Sequence, residues 1–569
     1  MHDLVIRGGT VIDGQGAERF EADVAVDEGR IVSVGTVSGK GRQEIDARHR
    51  LVTPGWVDCH THYDGQATWD PDMTPSIWHG VTSVVMGNCG VGFAPAKPEQ
   101  HEFLISLMEG VEDIPGSALE EGLEYNWESF PDYLDALEAM PRTMDVAAQM
   151  PHHALRVYVM GERAARHEDA TAADIARMAD LTEEALRAGA LGFTTSRTYV
   201  HRTSAGDQVP GTFVAPEELL GIARGMAKAG RGAFGMISDF EDEDADMDWM
   251  RAIVRESGRP LWFLLTRWDH EGDKWRRMLA RTAAAAADGL DIRAQVSSRP
   301  IGMLMGLQCS MHPFVSHREY RSVSHLPHAE RAKRLRDPDV RAAILAEERS
   351  PRSPLMRTVL NDFHKLYPMS EPMDYEPAFE ASVAGVAQRD GVDAKALAYD
   401  LLVSGEGNQI FFFPLTNYGD GDCETVLEMM RHPNTLFGLG DGGAHCGAIC
   451  DASMPTTLLT HWGRDRSRGT KLPLEWLVKR QTADNADYFG LTDRGRIAIG
   501  AKADLNVIDF DKVAVRLPHI VHDLPAGGRR LTQEAVGYDA TIVAGSVVTA
   551  HGELTGARPG RLIRGTKAG

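Results

Sequence analysis

Eight short apolar runs alternate with helical segments through the middle of this chain, and that alternation limits its fold more than any other feature. The runs begin at positions 51, 81, 145, 190, 232, 260, 291 and 435. Helical periodicity predicts helices between several of them, at 171–188, 216–229, 248–257 and 274–288. The first of these helices starts with a capping-box pattern, and the second has proline at its start and glycine after its end. Eight strands that alternate with helices favour an α/β fold, a (β/α)8 TIM-like barrel.

A doubly wound open sheet is the structural alternative, because it also alternates strands and helices. The dinucleotide-binding form of that fold carries G-x-G-x-x-G directly after its first strand, and no such motif follows the first apolar run here. The barrel is therefore the predicted core, and we assign it residues 54–496.

Both ends of the chain have the composition of β structure. Short Val and Ile runs bounded by Gly and Asp occupy residues 1–53, and the same pattern returns over 497–569. We expect the two ends to pair into one small β-sandwich domain. Between the seventh and eighth strands, about 300–434, the chain contains two helix-like segments, at 326–350 and 393–407. This stretch predicts a helical insertion near the barrel mouth, where it would cover the active site.

Charge and composition argue against several classes of function. The 569-residue chain has a net charge of −22 and 43% hydrophobic residues, and it has no dense Lys/Arg run. That balance disfavours a nucleic-acid or anionic-membrane partner. The N-terminus lacks a signal-peptide pattern, no apolar run reaches about 18 residues, and the six cysteines are scattered. These features predict a cytoplasmic, reduced protein that acts on a small molecule, and a homo-oligomer is compatible with them.

The first predicted barrel strand ends in PGWVDCHTHY, which places His60 and His62 two residues apart. Residues i and i+2 of a strand point to the same side, so the two imidazoles can share one ion. Two imidazoles suit Zn²⁺ and related divalent ions. Because active sites of such barrels lie at the carboxyl ends of the strands, we interpret the pair as metal ligands rather than surface histidines.

Two further strand ends carry groups that suit a metal centre. Asp441 follows the eighth strand in FGLGDGGAH, where flanking glycines allow close approach to a ligand. One carboxylate beside a metal can take the proton of an attacking water and protonate a leaving nitrogen, so Asp441 is the predicted acid and base as well as a ligand. Cys89 follows the second strand in MGNCGVGFAP. It is either a thiolate ligand or a small buried side chain, and the pattern leaves both open.

Side chains after the fourth and seventh strands are candidates for binding the substrate. Tyr199 and His201 follow the fourth strand, and Arg299 follows the seventh. A guanidinium matches a carboxylate bidentately, which favours Arg299 as a group that holds an acidic substrate. A structural ion pair is the alternative for this arginine.

Six sequence blocks resemble those of a known family, in the expected order and over nearly the whole chain. They are VIRGGTVIDGQG, VTPGWVDCHTHYDG, GNCGVGFAP, LGFTTSRTYVHRT, GLGDGGAH and GRIAIGAKADLNVIDFD. The chain resembles the amidohydrolase superfamily and, within it, the N-acyl-D-amino-acid deacylases (D-aminoacylases). The resemblance implies a metal-dependent barrel, a small β-sandwich from both chain ends, and amide hydrolysis by metal-activated water. It also implies that His60 and His62 are the first-strand ligands, Cys89 the cysteine ligand and Asp441 the acid/base residue.

The fifth and sixth strands depart from the deacylase pattern. The family supplies one histidine from each, whereas here these strands read GAFGMISDF and RPLWFLLTRWDH. The nearest residues at the matching places are Ser238–Asp239 and Leu265–Thr266. The tight metal site implied by the resemblance is therefore incomplete.

Three outcomes follow from the missing histidines. A single ion rests on the first-strand pair and Asp441, with or without Cys89. Alternatively, another histidine such as His201 or His153 substitutes, or the metal is lost or weakly held and the chemistry has changed. We expect the cofactor to be a divalent metal, Zn²⁺, with one ion bound rather than two.

The combined pattern predicts a metal-dependent hydrolase that cleaves the C–N amide bond of an N-acyl (D-)amino acid or a similar small amide. The missing histidines keep an alternative open, which is opening of a cyclic amide or imide, or a non-hydrolytic reaction such as decarboxylation. A non-catalytic scaffold on a degenerate barrel is a third hypothesis. Retention of His60, His62 and Asp441 at strand ends argues against it.

Overall fold

A ring of eight parallel strands forms the centre of the computed structural model, which describes residues 1–348 and 354–565. The strands are β1 (Trp56–Asp58), β2 (Val81–Met86), β3 (Asp145–Ala148, continued by Met150–Pro151), β4 (Gly192–Arg197), β5 (Ala233–Ser238), β6 (Leu261–Leu264), β7 (Ile292–Val296) and β8 (Thr435–Phe437). Parallel ladders join each strand to the next from β1 to β8. All residues of β2 are buried, as expected for a parallel strand covered on both faces.

The ring closes between β1 and β8. Just beyond the two strands, the Asp441 amide donates to the His60 carbonyl (3.1 Å) and the His62 amide donates to the Gly442 carbonyl (2.8 Å). The predicted TIM-like barrel is therefore confirmed, and the doubly wound sheet is wrong. Closure also brings the two sequence motifs that carry the predicted ligands side by side.

Helices surround the barrel. Those used below are α1 (His101–Glu112), α2 (Ala172–Ala188), α3 (Pro216–Ala229), α4 (Glu243–Ser257) and α5 (Lys274–Ala287). The others around the barrel are Gly116–Gly122, Phe130–Ala139, His152–Met160, Glu162–Ala165, Met454–Thr457, Leu474–Gln481 and Ala483–Tyr488. Within the described residues, no helix has both the length and the apolar character needed to cross a membrane.

The local signals placed three of these helices well, among them α5, which was predicted over 274–288 and is observed over Lys274–Ala287, and one poorly. Helix α2 has the predicted capping box between Thr171 and Asp174, and α3 has the predicted bounds. Helix α4 begins five residues earlier than predicted, at Glu243, because the Asp242 side chain accepts a hydrogen bond from the Ala245 amide.

Strands from both chain ends form one nine-stranded sheet outside the barrel. Its members are His2–Val11, Phe20–Asp27, Arg30–Gly35, Gly41–Asp46, Leu51–Pro54, Leu505–Ile508, Tyr538–Val543, Ser546–Ala550 and Glu553–Leu554. The two ends meet where Leu51–Pro54 pairs antiparallel with Leu505–Ile508. Two short ladders follow in the C-terminal part, one of Ala514–Val515 with Ala535–Val536 and one of His519–Leu524 with Gly528–Thr532. The division of the chain at residues 53 and 497 stays a prediction, and residues 566–569 lie outside the described part.

The sequence predicted a helical insertion between β7 and β8, but the insertion also contains strands. It carries a three-stranded antiparallel sheet of Gly302–Met305, Tyr367–Pro368 and Phe411–Pro414. Its helices are Arg318–Val323, His328–Leu335, Pro338–Ala346, Pro354–Asn361, Val383–Asp390 and Ala394–Leu402, and Glu424–Arg431 leads into β8. Residues 349–350 of the predicted helical segment lie outside the described residues. A hydrophobic cluster of its own, separate from the barrel core, holds the insertion together.

Candidate metal centre and cavity

The carboxyl ends of the barrel strands surround a cavity of about 250 Å³. Its polar end is formed by His60, His62, Cys89, Glu112, His201, Asp441 and His445. Its opposite wall is largely apolar, with Ile237, Leu264, Leu265, Ile301, Leu355 and Leu415, but the β5 and β6 ends also contribute the polar residues Ser238, Asp239 and Thr266. The four residues predicted as metal ligands therefore meet at one end of a single cavity.

The distances among His60, His62 and Cys89 suit ligands of a common ion, and Asp441 lies beside both histidines. The Sγ of Cys89 lies 3.5 Å from Nε2 of His60. Oδ1 of Asp441 lies 3.6 Å from Nε2 of His60 and 3.8 Å from Nε2 of His62. The separations to Asp441 exceed a normal hydrogen bond, whereas two ligands on a tetrahedral ion with bonds of about 2.1 Å stand about 3.4 Å apart. Ligand atoms of His60, His62 and Cys89 also lie within 4.8 Å of one another.

The backbone holds three residues of the polar end in the left-handed region. The φ angles are 54° at Cys89, 46° at Asp441 and 51° at His445. Such conformations cost of order 1–3 kcal/mol each and persist only where the surroundings enforce them. At Gly440 a Cβ atom would lie 1.9 Å from Oδ2 of Asp58, so only glycine lets the β8 loop pack this closely on β1. That close packing places Asp441 beside the two histidines.

Burial sets the protonation of the donors. Desolvation lowers the pKa of both His60 and His445 to about 4 and lowers that of His62 well below its usual value. Each imidazole is therefore neutral near pH 7 and offers a lone pair. The same burial raises the pKa of Asp441 well above its ordinary range, and a cation at this point would instead favour the carboxylate. Neutral imidazoles, a thiol and a carboxylate without a cationic partner are a donor set that fits a divalent metal.

A glutamine on β7 orients one of the histidines. Oε1 of Gln295 lies 2.5 Å from Nδ1 of His60. Since an amide oxygen only accepts, Nδ1 carries the proton, and the lone pair of Nε2 faces Cys89 and Asp441. Sequence reasoning did not select Gln295, because it lies within the strand and not at its end.

His201 lines the cavity, as predicted for a substrate-binding residue, and its Nδ1 lies 2.9 Å from Oγ of Ser196. Tyr199 does not line it. Its side chain is about 44% exposed, and its hydroxyl lies 3.5 Å from Oε2 of Glu241. The assignment of Tyr199 to the substrate site therefore has no support in the geometry.

Arg299 was predicted to hold a substrate carboxylate, and the structure contradicts this. The side chain is 2% exposed and lies outside the cavity lining. Its Nη2 donates to Oδ1 of Asp451 at 2.8 Å, and the guanidinium stacks 3.7 Å above the ring of Tyr375. The alternative, a structural ion pair, is the correct interpretation.

No histidine from β3 replaces the missing ligands. His153 lies outside the cavity lining, and its Nδ1 accepts a hydrogen bond from the Gly211 amide at 3.1 Å. Ser238 and Asp239, at the end of β5, line the cavity, but Asp239 already accepts hydrogen bonds from Thr198 and from the Tyr199 amide. At the end of β6, Leu265 is 3% exposed and apolar. The residues at the ends of β5 and β6 therefore form part of the cavity wall and do not replace the missing ligands.

A second group of donors lies away from the cavity, within the described residues. Ligand atoms of Glu376, Cys423 and His461 come within 4.8 Å of one another. Both oxygens of Glu376, however, accept hydrogen bonds from Arg466, at 2.9 and 3.0 Å. This bidentate pair already neutralises the carboxylate, so the group is a buried ion pair rather than a cation site.

Comparison with known proteins gives one family and several relatives. A model of the amidohydrolase family matches residues 43–549. D-aminoacylase of Alcaligenes xylosoxydans xylosoxydans is 36% identical over 231 residues, which cover 40% of this chain and 43% of that protein. N-acyl-D-glutamate deacylase of the same organism is 29% identical over 568 residues and covers 99% of this chain and 96% of its own length.

Two solved structures extend the likeness to the whole fold. A D-aminoacylase, described in a study of its binuclear metal center, is 25% identical with a TM-score of 0.66, covering 99% of this chain and 100% of the other. The N-acyl-D-glutamate deacylase of Bordetella bronchiseptica, complexed with zinc and a phosphonate mimic of the tetrahedral intermediate, is 25% identical with a TM-score of 0.64. In that comparison 99% of each chain is covered.

Proposed function

Because the family model covers most of its length, the chain belongs to the amidohydrolase family, and we propose that it hydrolyses the amide bond of an N-acyl-D-amino acid or a similar small amide. One observation carries the proposal: at the polar end of the cavity, ligand atoms of His60, His62 and Cys89 lie within 4.8 Å of one another, and Asp441 lies beside both histidines. The named relatives are deacylases of N-acyl-D-amino acids, which supports the same substrate class here.

The chemistry depends on a divalent metal, and we assign a single Zn²⁺ to His60, His62, Cys89 and Asp441. The bound ion would polarise the amide carbonyl and lower the pKa of a water. Zinc in the related deacylase structure and the mixture of imidazole, thiolate and carboxylate donors support this identity. One ion rather than two is proposed because the ends of β5 and β6 offer Ser238–Asp239 and Leu265–Thr266 and no histidine.

Asp441 would act as the base that takes the proton of the attacking water and the acid that returns it to the leaving nitrogen. Its carboxylate is about 10% exposed and borders the cavity, so it can reach a substrate. His201, at the same end, would donate a hydrogen bond to the bound amide or accept one from it. The apolar wall opposite would bury the acyl chain or an apolar side chain of the substrate.

The proposal is tested by metal analysis and a substrate panel. We expect protein purified with zinc to contain about one ion per chain and to hydrolyse some N-acetyl-D-amino acids, with little turnover of the L-enantiomers. Removal of the ion by a chelator should abolish turnover, and added zinc should restore it. A metal-replete protein that hydrolyses no member of the panel would contradict the proposal.

A substrate carboxylate needs a cationic partner, and Lys274 is the one Lys or Arg among the described residues that line the cavity. It is the first residue of α5, and its Nζ donates to the Asp239 carbonyl and to Oε1 of Glu271, both at 2.6 Å. Its third proton remains for a ligand. We expect Lys274→Met to raise KM for N-acyl-D-amino acids about 10- to 100-fold with little change in kcat, since a charged hydrogen bond contributes about 1.5–3 kcal/mol. Steady-state kinetics measure this.

Two controls accompany the Lys274 variant. Lys228→Met removes an exposed lysine of α3 and should leave KM unchanged. An N-acyl amine that lacks the carboxylate should be turned over equally by the wild type and by Lys274→Met. An equal loss with both kinds of substrate would show that Lys274 supports the structure of the site and does not recognise the carboxylate.

A second candidate function rests on the ends of β5 and β6, which carry no histidine. Ser238, Asp239, Leu265 and Thr266 line the cavity where the resemblance implies histidine ligands, and such a change favours altered chemistry. Opening of a cyclic amide or imide, or decarboxylation, is then the alternative. Hydantoins, lactams and aryl carboxylates in the same panel separate this alternative from deacylation, because only deacylation releases a free amino acid together with a separate carboxylic acid.

The cellular setting and the domain division belong to the same proposal. All six cysteines are buried and free, which supports a reducing, cytoplasmic setting. The nine-stranded terminal sheet has a hydrophobic cluster of its own, which supports a separate domain made of residues 1–53 and 497–569.

A further inference from the structure

A glutamate that no sequence motif singled out lies against the metal centre. Glu112 is the last residue of α1, is 1% exposed and lines the cavity. Its Oε1 lies 3.4 Å from Nδ1 of His62, and its Oε2 lies 3.5 Å from Nε2 of His445. The carboxylate therefore stands between two histidines of the polar end.

The chain holds Glu112 in this place at an energetic disadvantage. It is buried at the carboxyl end of a helix, where the helix dipole disfavours a negative charge. Among the ion pairs of the described residues, its partners are His62 and His445 and no Lys or Arg. Its Oε2 and Nδ1 of His62 are also buried without a hydrogen bond. Such an arrangement is costly unless a cation compensates it.

Two hydrogen bonds from the loop after β8 hold the end of α1, so the position of Glu112 is enforced. The His445 amide donates to the Glu112 carbonyl, and the Gly447 amide donates to Oδ2 of Asp113 at 3.0 Å. Asp113 adopts a left-handed conformation with φ of 50°, which ends the helix at this residue. These contacts tie α1 to the loop that carries Asp441.

His62 presents its two ring nitrogens to different partners. Nε2 faces Asp441 at 3.8 Å, while Nδ1 faces Glu112 at 3.4 Å. His60 shows the same division, with Nε2 towards Cys89 and Nδ1 on Gln295. Metal-binding histidines commonly donate the second ring N–H to a carboxylate or carbonyl, which fixes the tautomer and makes the ligand more basic.

We propose that Glu112 is the outer carboxylate of the metal centre, a group that contacts a ligand and not the ion. It accepts the Nδ1 proton of His62 and so directs Nε2 to the ion. Its negative charge also favours a cation that receives no histidine from β5 or β6. This inference rests on the proposed metal-dependent function. In this role Glu112 is a positioning residue and not a ligand, because its oxygens face ring nitrogens of His62 and His445.

The test compares Glu112→Gln with Glu102→Gln, a matched change at an exposed position of α1. Zinc affinity is measured by competition with a chromophoric chelator, and Tm is measured with and without zinc. We expect Glu112→Gln to weaken zinc binding about 10- to 100-fold. The metal-free Tm should stay the same or rise, because no Lys or Arg of the described residues pairs with Glu112, while the rise in Tm on adding zinc should shrink. Glu102→Gln should match the wild type in both measurements.

Cobalt substitution distinguishes the outer position from direct ligation. At saturating Co²⁺ the visible absorption of Glu112→Gln should match that of the wild type, because the ligand atoms are unchanged. A changed spectrum would overturn the outer position, and zinc affinity equal to the wild type would overturn the inference as a whole. If the wild type itself binds no zinc, the proposed function fails together with this inference. If it binds zinc but Glu112→Gln has no effect, only the inference fails.

Discussion

Replacement of Asp441 by Asn should lower kcat for the amide substrate by about 10³-fold or more, the loss typical of a general acid–base residue that also stands beside a metal. An amide of the same size cannot take up the proton of the attacking water or return it to the leaving nitrogen. Asn also tolerates the left-handed conformation that Asp441 adopts, with φ of 46°, so the loop should keep its shape. Steady-state kinetics at saturating substrate measure this change.

The Asp441 experiment needs a control for metal content, since Oδ1 of Asp441 lies 3.6 Å from Nε2 of His60. Kinetics are therefore compared at zinc concentrations that saturate both proteins, with bound zinc determined in the same samples. Asp248→Asn, at an exposed position of α4, should behave as the wild type. Activity of metal-replete Asp441→Asn within about tenfold of the wild type would exclude this carboxylate as the acid and base.

The barrel could be predicted from the sequence because its signals are local. Each strand is an apolar run bounded by turn residues, and helices such as α3 carry proline at the first position and glycine after the last. The start of α4 was missed because an acidic run precedes it, and only the side-chain bond of Asp242 to the Ala245 amide shows that the helix has begun. The small sheet in the insertion was missed because its strands have two to four residues and lie far apart in sequence.

Residues of the site were predictable only where they stand at strand ends. His60, His62, Cys89 and Asp441 follow β1, β2 and β8, so the barrel geometry alone brings them together. Glu112 arrives from a helix end, 50 positions from His62 in sequence, and no periodic pattern indicates that contact.

Arg299 shows the opposite error. It follows β7 and suits a carboxylate chemically, yet its carboxylate is Asp451, 152 residues later in the chain. Residue type and strand position predict which groups are available at the barrel mouth. Which of them face the cavity depends on long-range packing, which the sequence alone does not reveal.

The second large effect concerns His60 and His62. With no histidine at the ends of β5 and β6, these two imidazoles provide two of the three donors that cluster within 4.8 Å. Loss of either leaves one imidazole with Cys89 and Asp441, a weaker donor set for a divalent ion. We expect His60→Ala and His62→Ala each to weaken zinc binding about 10³-fold or more and to abolish turnover at micromolar zinc. Equilibrium dialysis with metal analysis measures the first effect.

The same measurement should rank the residues around His60 by their distance from the ion. Gln295→Leu removes only the acceptor of the Nδ1 proton, 2.5 Å away, so it should weaken zinc binding about 10- to 100-fold, far less than His60→Ala. His364→Ala, which removes a histidine whose side chain is 73% exposed, should leave the affinity unchanged. If His60→Ala instead bound zinc within about tenfold of the wild type, the ion would have to rest on other donors, and the convergence at this end of the barrel would not define the metal site. The difference in zinc affinity between His60→Ala and Gln295→Leu thus separates the contribution of a ligand from that of the residue that orients it.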